Sequence, residues 1–317
     1  MDGVLVVDKP LGPTSHDVVA RVRRALKEKR IGHTGTLDPL ATGVLPLVVG
    51  RATRLAQFLS GDEKEYVAGV RFGAVTATFD AEARVVNDPA TGRPAAMHPP
   101  DPVSLDASAV QLALDKFRGT YWQVPPPFSA KKIGGVPAYR LARSLKPVEV
   151  KPVEVTASEL ELVSFDGSVA TLRIVCSTGF YVRTLAHELG QRLECGAYLE
   201  SLLRTRAGQF TIDDAVPLEA VERDQVAINR VIPMERLLPA MPGIVLNERG
   251  VERASHGNSI AAMDVSKGDL RPRLVTGTDP LTAATSERVR LLDTDGRLLG
   301  IAERTSGDLL RPFIVLV

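Results

Sequence analysis

Only two cysteines, Cys176 and Cys195, occur in 317 residues. They form no CxxC pair and cannot supply a four-cysteine metal site, so both are expected to be free thiols, at least partly buried. Five histidines contain no HExxH pair, which removes the commonest sequence sign of a zinc hydrolase. No apolar run is long enough to cross a bilayer, and MDGVLVVDKP lacks a basic stretch followed by an apolar one. The expected location is therefore the cytoplasm. Excess charge of one sign is also missing: 39 basic and 38 acidic side chains leave +1. That balance neither announces nor excludes a nucleic-acid partner, because local clustering sets the field a phosphate meets. GHTG is not a GxGxxG turn after a strand, and no Lys-Ser/Thr phosphate loop occurs, so a dinucleotide or P-loop enzyme is poorly supported.

At 44% hydrophobic and 24% charged residues, the chain reads as an ordinary globular protein of one large or two unequal domains. VLVVD at 4 to 8 predicts a strand. After the turn residues KPLGP, a helix is expected, capped by Thr14 or Ser15, with Asp17 in its first turn. Val18, Val22 and Leu26 share its apolar face. Residues 32 to 43, dense in Gly, Thr and Pro, read as an ordered loop and a candidate site. Strands are expected at 65 to 72, within 153 to 163 and at 169 to 176, the last two joined at Asp166-Gly167. Helices are expected at 104 to 118, capped by Ser104, and at 180 to 193. PPPFSAKK at 125 to 132 reads as a stiff, then basic arm. The interleaving has no regular βαβ period, which indicates an α+β fold with a mixed sheet. LPAMPG marks a boundary near 240. Domains of 1–240 and 241–317 follow, the second small and β-rich, with a turn at Asp295-Gly296 and a charged, glycine-rich loop between 266 and 280.

Six segments then occur in an informative order: DKPLGPTS at 8 to 15, GHTGTLDPLATGVLP at 32 to 46, GRATR at 50 to 54, KEY at 64 to 66, STGFYVRTLAHELG at 177 to 190 and LLRTRAGQF at 202 to 210. Through them the chain resembles the TruB family of bacterial tRNA pseudouridine-55 synthases. The resemblance implies a pseudouridine synthase catalytic domain followed by a small C-terminal domain of PUA type, an RNA-binding module with which HGNSI at 256 to 260 is compatible. It implies a reaction that breaks a C1′–N1 glycosidic bond, turns the uracil and forms C1′–C5. No cofactor or metal is implied, and the partner is tRNA, bound through its T-arm by a monomer that needs no protein partner.

By the same resemblance, Asp38 is the catalytic carboxylate. Carboxylate chemistry suits the task, since it can attack carbon or stabilise positive charge on the sugar. From local spacing alone, Asp38 would more often be a loop residue capping the amides of Ala41 or Thr42. Arg183 pairs with it, and Tyr66 is the active-site tyrosine. Tyr181 contacts the base, Leu202 lines the pocket, and His33 holds the rearranged RNA loop. Lys9 and Arg54 occupy basic motif positions that support the site or contact phosphate. The target base must leave its stack to react. RVRRALKEKR at 21 to 30 is the densest basic cluster, equally a phosphate surface or one solvated helix face. Lys131, Lys132, Arg204 and Arg206 are further phosphate candidates. Two alternatives share these features: a guide-RNA-directed synthase of the dyskerin type, and a tRNA-folding chaperone.

Overall fold

The computed structural model describes residues 1–82, 105–126, 151–223, 229–268, 288–305 and 309–317, together with the backbone of 132–133 and 136–137. Lys131, the side chain of Lys132, most of the 125–132 arm, Ser104 and most of the 266–280 loop lie outside the described residues. No helix among the described residues is long and apolar enough to cross a membrane.

Among the described residues up to 233, a mixed, 11-stranded sheet is the organising element. Its main path runs through β10 (Val216–Pro217), β1 (Gly3–Lys9), β3 (Ala41–Val49), β8 (Ala197–Ala207), β4 (Lys64–Phe72), β7 (Val169–Cys176), β6 (Val153–Phe165) and β5 (Gly119–Gln123). Short strands β2 (Ile31–His33), β9 (Phe210–Thr211) and β11 (Ile232–Pro233) pair at its margins. Pairing is antiparallel except for β1 with β10 and β3 with β8.

Strand periodicity explains how this sheet carries two cores. Leu5 and Val7 of β1, with Leu45, Leu47 and Val49 of β3, face a core closed by α1 (Ser15–Leu26), α2 (Ala107–Leu114), α3 (Val182–Arg192) and α4 (Leu218–Arg223). The alternate residues Val4, Val6, Val44 and Val48 face a second core. There they meet Leu298, Ile301, Ile314 and Leu316 from the C-terminal region. That region forms a five-stranded sheet in the order β13 (Val265–Lys267), β12 (Gly243–Leu246), β14 (Arg288–Leu292), β15 (Leu298–Arg304), β16 (Leu310–Val315), with α5 (Glu248–Ser255) against it.

Local signals are realised in detail. Thr14 caps α1 in a reciprocal box with Asp17, and Val18, Val19 and Val22 are its buried face. The β6–β7 turn places Gly167 at φ +93° while Asp166 accepts from the amides of Ser168 and Val169. Gly296 takes φ +82° in the expected turn.

Several expectations need correction. The second helix is capped by Asp106, whose Oδ1 accepts from Ala109 N at 2.7 Å, so Ser104 precedes the cap. The loop at 32 to 43 is shorter: β2 extends to His33 and β3 begins at Ala41. Strands β3 and β8, both central, are not predicted by periodicity. Both faces of β3 are buried, so its side chains do not alternate in polarity, and Pro46 interrupts it. Pro46 is tolerated because its carbonyl accepts from Thr34 N on the side away from β1. Its missing N–H therefore points into the gap between β8 and β2. In β8, register shifts between Leu199 and Ser201 and between Arg204 and Arg206 break the period of two.

Candidate active site

The loop between β2 and β3 is held from three sides. Ser15 Oγ at the start of α1 accepts from Leu37 N at 2.8 Å and donates to Leu37 O at 3.1 Å. Lys9 Nζ donates to the carbonyls of Pro10, Pro39 and Ala41 at 3.0, 3.3 and 2.6 Å. Arg204 donates from Nε to Val44 O at 2.7 Å and from Nη2 to Gly35 O at 3.2 Å. Gly43, at φ +94°, lets β8 come close: a Cβ there would lie 2.3 Å from Arg204 O.

This clamping aims Asp38 at a cavity of about 300 Å³. Asp38, Tyr66, Tyr181, Arg183 and Leu202 all line it, with Lys64, Arg204 and the turn 177–180. Asp38 caps neither Ala41 nor Thr42 with its side chain: Ala41 N bonds to the Asp38 backbone carbonyl. Asp38 Oδ2 lies 2.9 Å from Arg183 Nε. The Asp38 side chain keeps 39% exposure, toward the cavity, whereas that of Arg183 keeps 7%.

Arg183 has a second carboxylate, which sequence alone does not reveal. Its Nη1 lies 3.3 Å from Asp80 Oδ2 and donates to Thr78 O at 3.3 Å. Asp80 is 2% exposed. Its segment is docked on α3 by Phe79, stacked on His187 at 3.8 Å with an 8° interplanar angle. Phe79 has φ +64°. Asp80 in TATFDAE carries no spacing signal, since its partner is 103 residues away.

Burial is the largest influence on Asp38 and raises its carboxyl above the ordinary 3.8, helped by Asp80 and opposed by Arg183 and Lys9. Burial likewise raises the Tyr66 phenol, against a hydrogen bond and the charge of Arg204. Tyr66 is therefore protonated at neutral pH. Its position follows from pairing: it lies opposite Arg204 on β8 and Ile174 on β7. Tyr181 is placed by Gln123, fully buried, whose amide accepts from Tyr181 N at 2.8 Å and donates to Tyr181 O at 3.1 Å.

Apart from Arg204, the remaining sequence candidates that are described sit away from the cavity wall. His33 lies at the end of β2, two residues before the cavity wall, meeting His16 edge-on at 5.4 Å. Lys9 is fully buried and aimed at protein carbonyls, so it supports the loop and does not face phosphate. Arg54 donates to Val315 O, tying the first turn after β3 to β16 and not to the cavity. Arg204 is 1% exposed, which removes it from the phosphate candidates, and Arg206 lies 3.6 Å from Glu65.

Burial pulls the Lys9 ammonium down to about 8. The unfolded chain holds that proton up to its ordinary 10.5, so stability should rise as pH climbs from about 8 to 10.5. Lys9→Met should abolish this rise in pH-resolved thermal melting.

Comparison with known proteins places this arrangement. Residues 23–182 match the TruB family pseudouridylate synthase N-terminal domain, and residues 183–239 match the tRNA pseudouridylate synthase B C-terminal domain. The chain belongs to the TruB family. The tRNA pseudouridine synthase B of Solibacter usitatus is 41% identical over the whole of both chains. That of Burkholderia lata is 40% identical over 97% of this chain and 88% of its own. Among solved structures, a Cbf5-Nop10-Gar1 complex aligns with TM-score 0.70 at 23% identity, over 99% of this chain and 85% of that one. An H/ACA RNP bound to a substrate RNA containing 2′-deoxyuridine aligns with TM-score 0.69 at 21% identity, over 99% and 85%. These two show that the fold is shared. The TruB chain is thus a pseudouridine synthase, an isomerase, and its matched segments include both sides of the Asp38–Arg183 pair.

Proposed function

We propose that this enzyme converts uridine 55 in the T-loop of tRNA to pseudouridine, with Asp38 as the catalytic carboxylate. The observation that carries this reading is a carboxylate held at 2.9 Å by a buried guanidinium, at the wall of a cavity sized for one base. The relatives that bear the name tRNA pseudouridine synthase B supply the class of RNA.

The uridine is flipped into the cavity between Tyr66, Tyr181 and Leu202. Asp38 faces the sugar, where its charge opposes that developing as C1′–N1 breaks. Arg183 holds the carboxylate in direction and favours its ionised form. Tyr66, kept as a phenol, stacks on the freed uracil and offers a proton donor, not a base. The base turns in place and C1′ joins C5, after which the C5 proton leaves. His33, at the rim, contacts the surrounding RNA loop. Lys9 and Arg54 act by holding structure. The protein works as a cytoplasmic monomer without a cofactor or obligate protein partner. Its 241–317 portion, a β-rich unit of PUA type, adds RNA contacts, while 1–240 carries the chemistry.

The test uses unmodified tRNA carrying tritium at uracil C5. Purified enzyme alone should release label, with pseudouridine mapped to position 55. Absence of release by folded, RNA-binding protein refutes the assignment, and release that requires an added guide RNA selects the dyskerin-type alternative.

A further inference from the structure

Residues 21 to 30 hold six basic side chains and one acid, in a chain whose total is +1. The structure divides this cluster. Arg21 is held in a bidentate pair by Glu222, at 2.7 and 2.5 Å, on the side that meets α4. Arg23, Arg24, Lys27 and Lys29 are exposed.

Helical spacing places His16, Ala20, Arg23, Arg24 and Lys27 along one exposed side of α1, opposite the buried Val18 and Val22. The N-terminal end of that side touches the catalytic loop. Ser15 clamps Leu37, and His16 meets His33. Arg23 Nη2 donates to Ile31 O at 2.5 Å, which holds its guanidinium beside β2. Ala20 leaves a low point between the histidine and the arginines. Of the acids nearby, Glu222 pairs with Arg21, Glu219 also acts on Arg21, Glu28 lies 3.8 Å from Arg30, and Asp17 keeps its charge in the Thr14 cap, so they are outnumbered by the exposed cations. The charge left facing solvent is positive.

We propose that this side of α1 grips the sugar-phosphate backbone of the RNA stem adjoining the flipped uridine. The proposal rests on reading the Asp38 cavity as a uridine site. At about 1.5 Å per residue, Arg24 and Lys27 stand roughly 12 and 16 Å along the helix from His16. These cations therefore meet phosphates of the stem that lies beyond the nucleotides beside His16 and His33. Because the contacts are to phosphate, they set affinity and register without reading sequence.

The experiment compares the full-length protein with Arg24→Glu/Lys27→Glu, using an unmodified tRNA transcript. Binding is measured between 50 and 200 mM salt, and turnover at saturating RNA. The variant should bind at least about tenfold more weakly near 0.1 M salt. The slope of log affinity against log salt should shrink by about two, one per lost contact. kcat at saturating RNA should be unchanged. Lys116→Glu/Arg118→Glu, on exposed residues near β5 at the opposite end of the sheet, makes the same change in total charge and should leave both readings near wild type. Unchanged affinity and slope in the α1 variant, or an equal loss in the control, overturns the proposal. Where charge reversal disturbs folding, Arg24→Gln and Lys27→Gln provide the same test, each expected to remove about one unit of slope. A wild-type enzyme that binds tRNA but releases no tritium defeats the functional reading instead, while the affinity comparison still stands.

Discussion

Asp38→Asn should lower kcat by at least about 10⁴-fold while tRNA affinity stays within about threefold. Asparagine keeps the shape and can still accept from Arg183 Nε, so the cavity and its buried arginine persist. What disappears is the negative charge facing the sugar and the ability to form a bond to carbon. Single-turnover rates and equilibrium binding separate the two effects, and near-normal turnover by the variant would remove Asp38 from the chemistry. The wild-type pH profile carries a matching signature. Because the Asp38 carboxyl lies above 3.8, kcat/KM should fall as pH drops through that raised value, earlier than an ordinary carboxylate would allow. Stability has the opposite sign. A carboxyl raised by burial penalises the fold once it is ionised, and the penalty is relieved as pH falls below its folded pKa. Asp38→Asn should therefore melt at or above the wild-type temperature at neutral pH, with the difference vanishing in acid.

Arg183→Lys should lower kcat by about 10²–10³-fold with little change in RNA affinity. The guanidinium spans two carboxylates, Asp38 through Nε and Asp80 through Nη1, and also donates to Thr78 O. A lysine is a single point charge and cannot hold both carboxylates in fixed directions. Arg183→Met goes further and should destabilise by about 3–5 kcal/mol, since it leaves Asp80 buried without its cation. Removing the cation also raises the Asp38 carboxyl further, so residual activity should recover with increasing pH and the acid limb should move upward. A pH profile that keeps its wild-type shape in Arg183→Met would show that the arginine does not set the ionisation of Asp38.

Much of this site was legible because its parts are local in sequence. GHTGTLDPLATG and FYVRTLAHELG are each continuous, and the structure joins them through one ion pair. Helix α1 and the β6–β7 hairpin carried their own caps and turns. What escaped was long-range. Asp80 is an ordinary acid until a partner 103 residues later faces it. Arg204 looks like a surface cation in LLRTR, yet pairing across β4 and β3 buries it beneath the cavity. Lys9 follows the same logic: three carbonyls brought together by the fold, not its neighbours in sequence, decide where its charge goes. Strands buried on both faces, such as β3, lose the alternation that reveals exposed ones.

The second core has a consequence for synthesis. Val4 and Val6 leave the ribosome about 300 residues ahead of their partners Leu298, Ile301, Ile314 and Leu316. At about 5–20 residues per second, the ribosome keeps that valine face waiting for roughly 15–60 s. During this interval one side of the central strands is open to misassociation, and chaperone occupancy of the nascent chain should persist until β15 and β16 emerge. Arg51 and Arg54 then fasten the closing strand through the carbonyls of Leu316 and Val315.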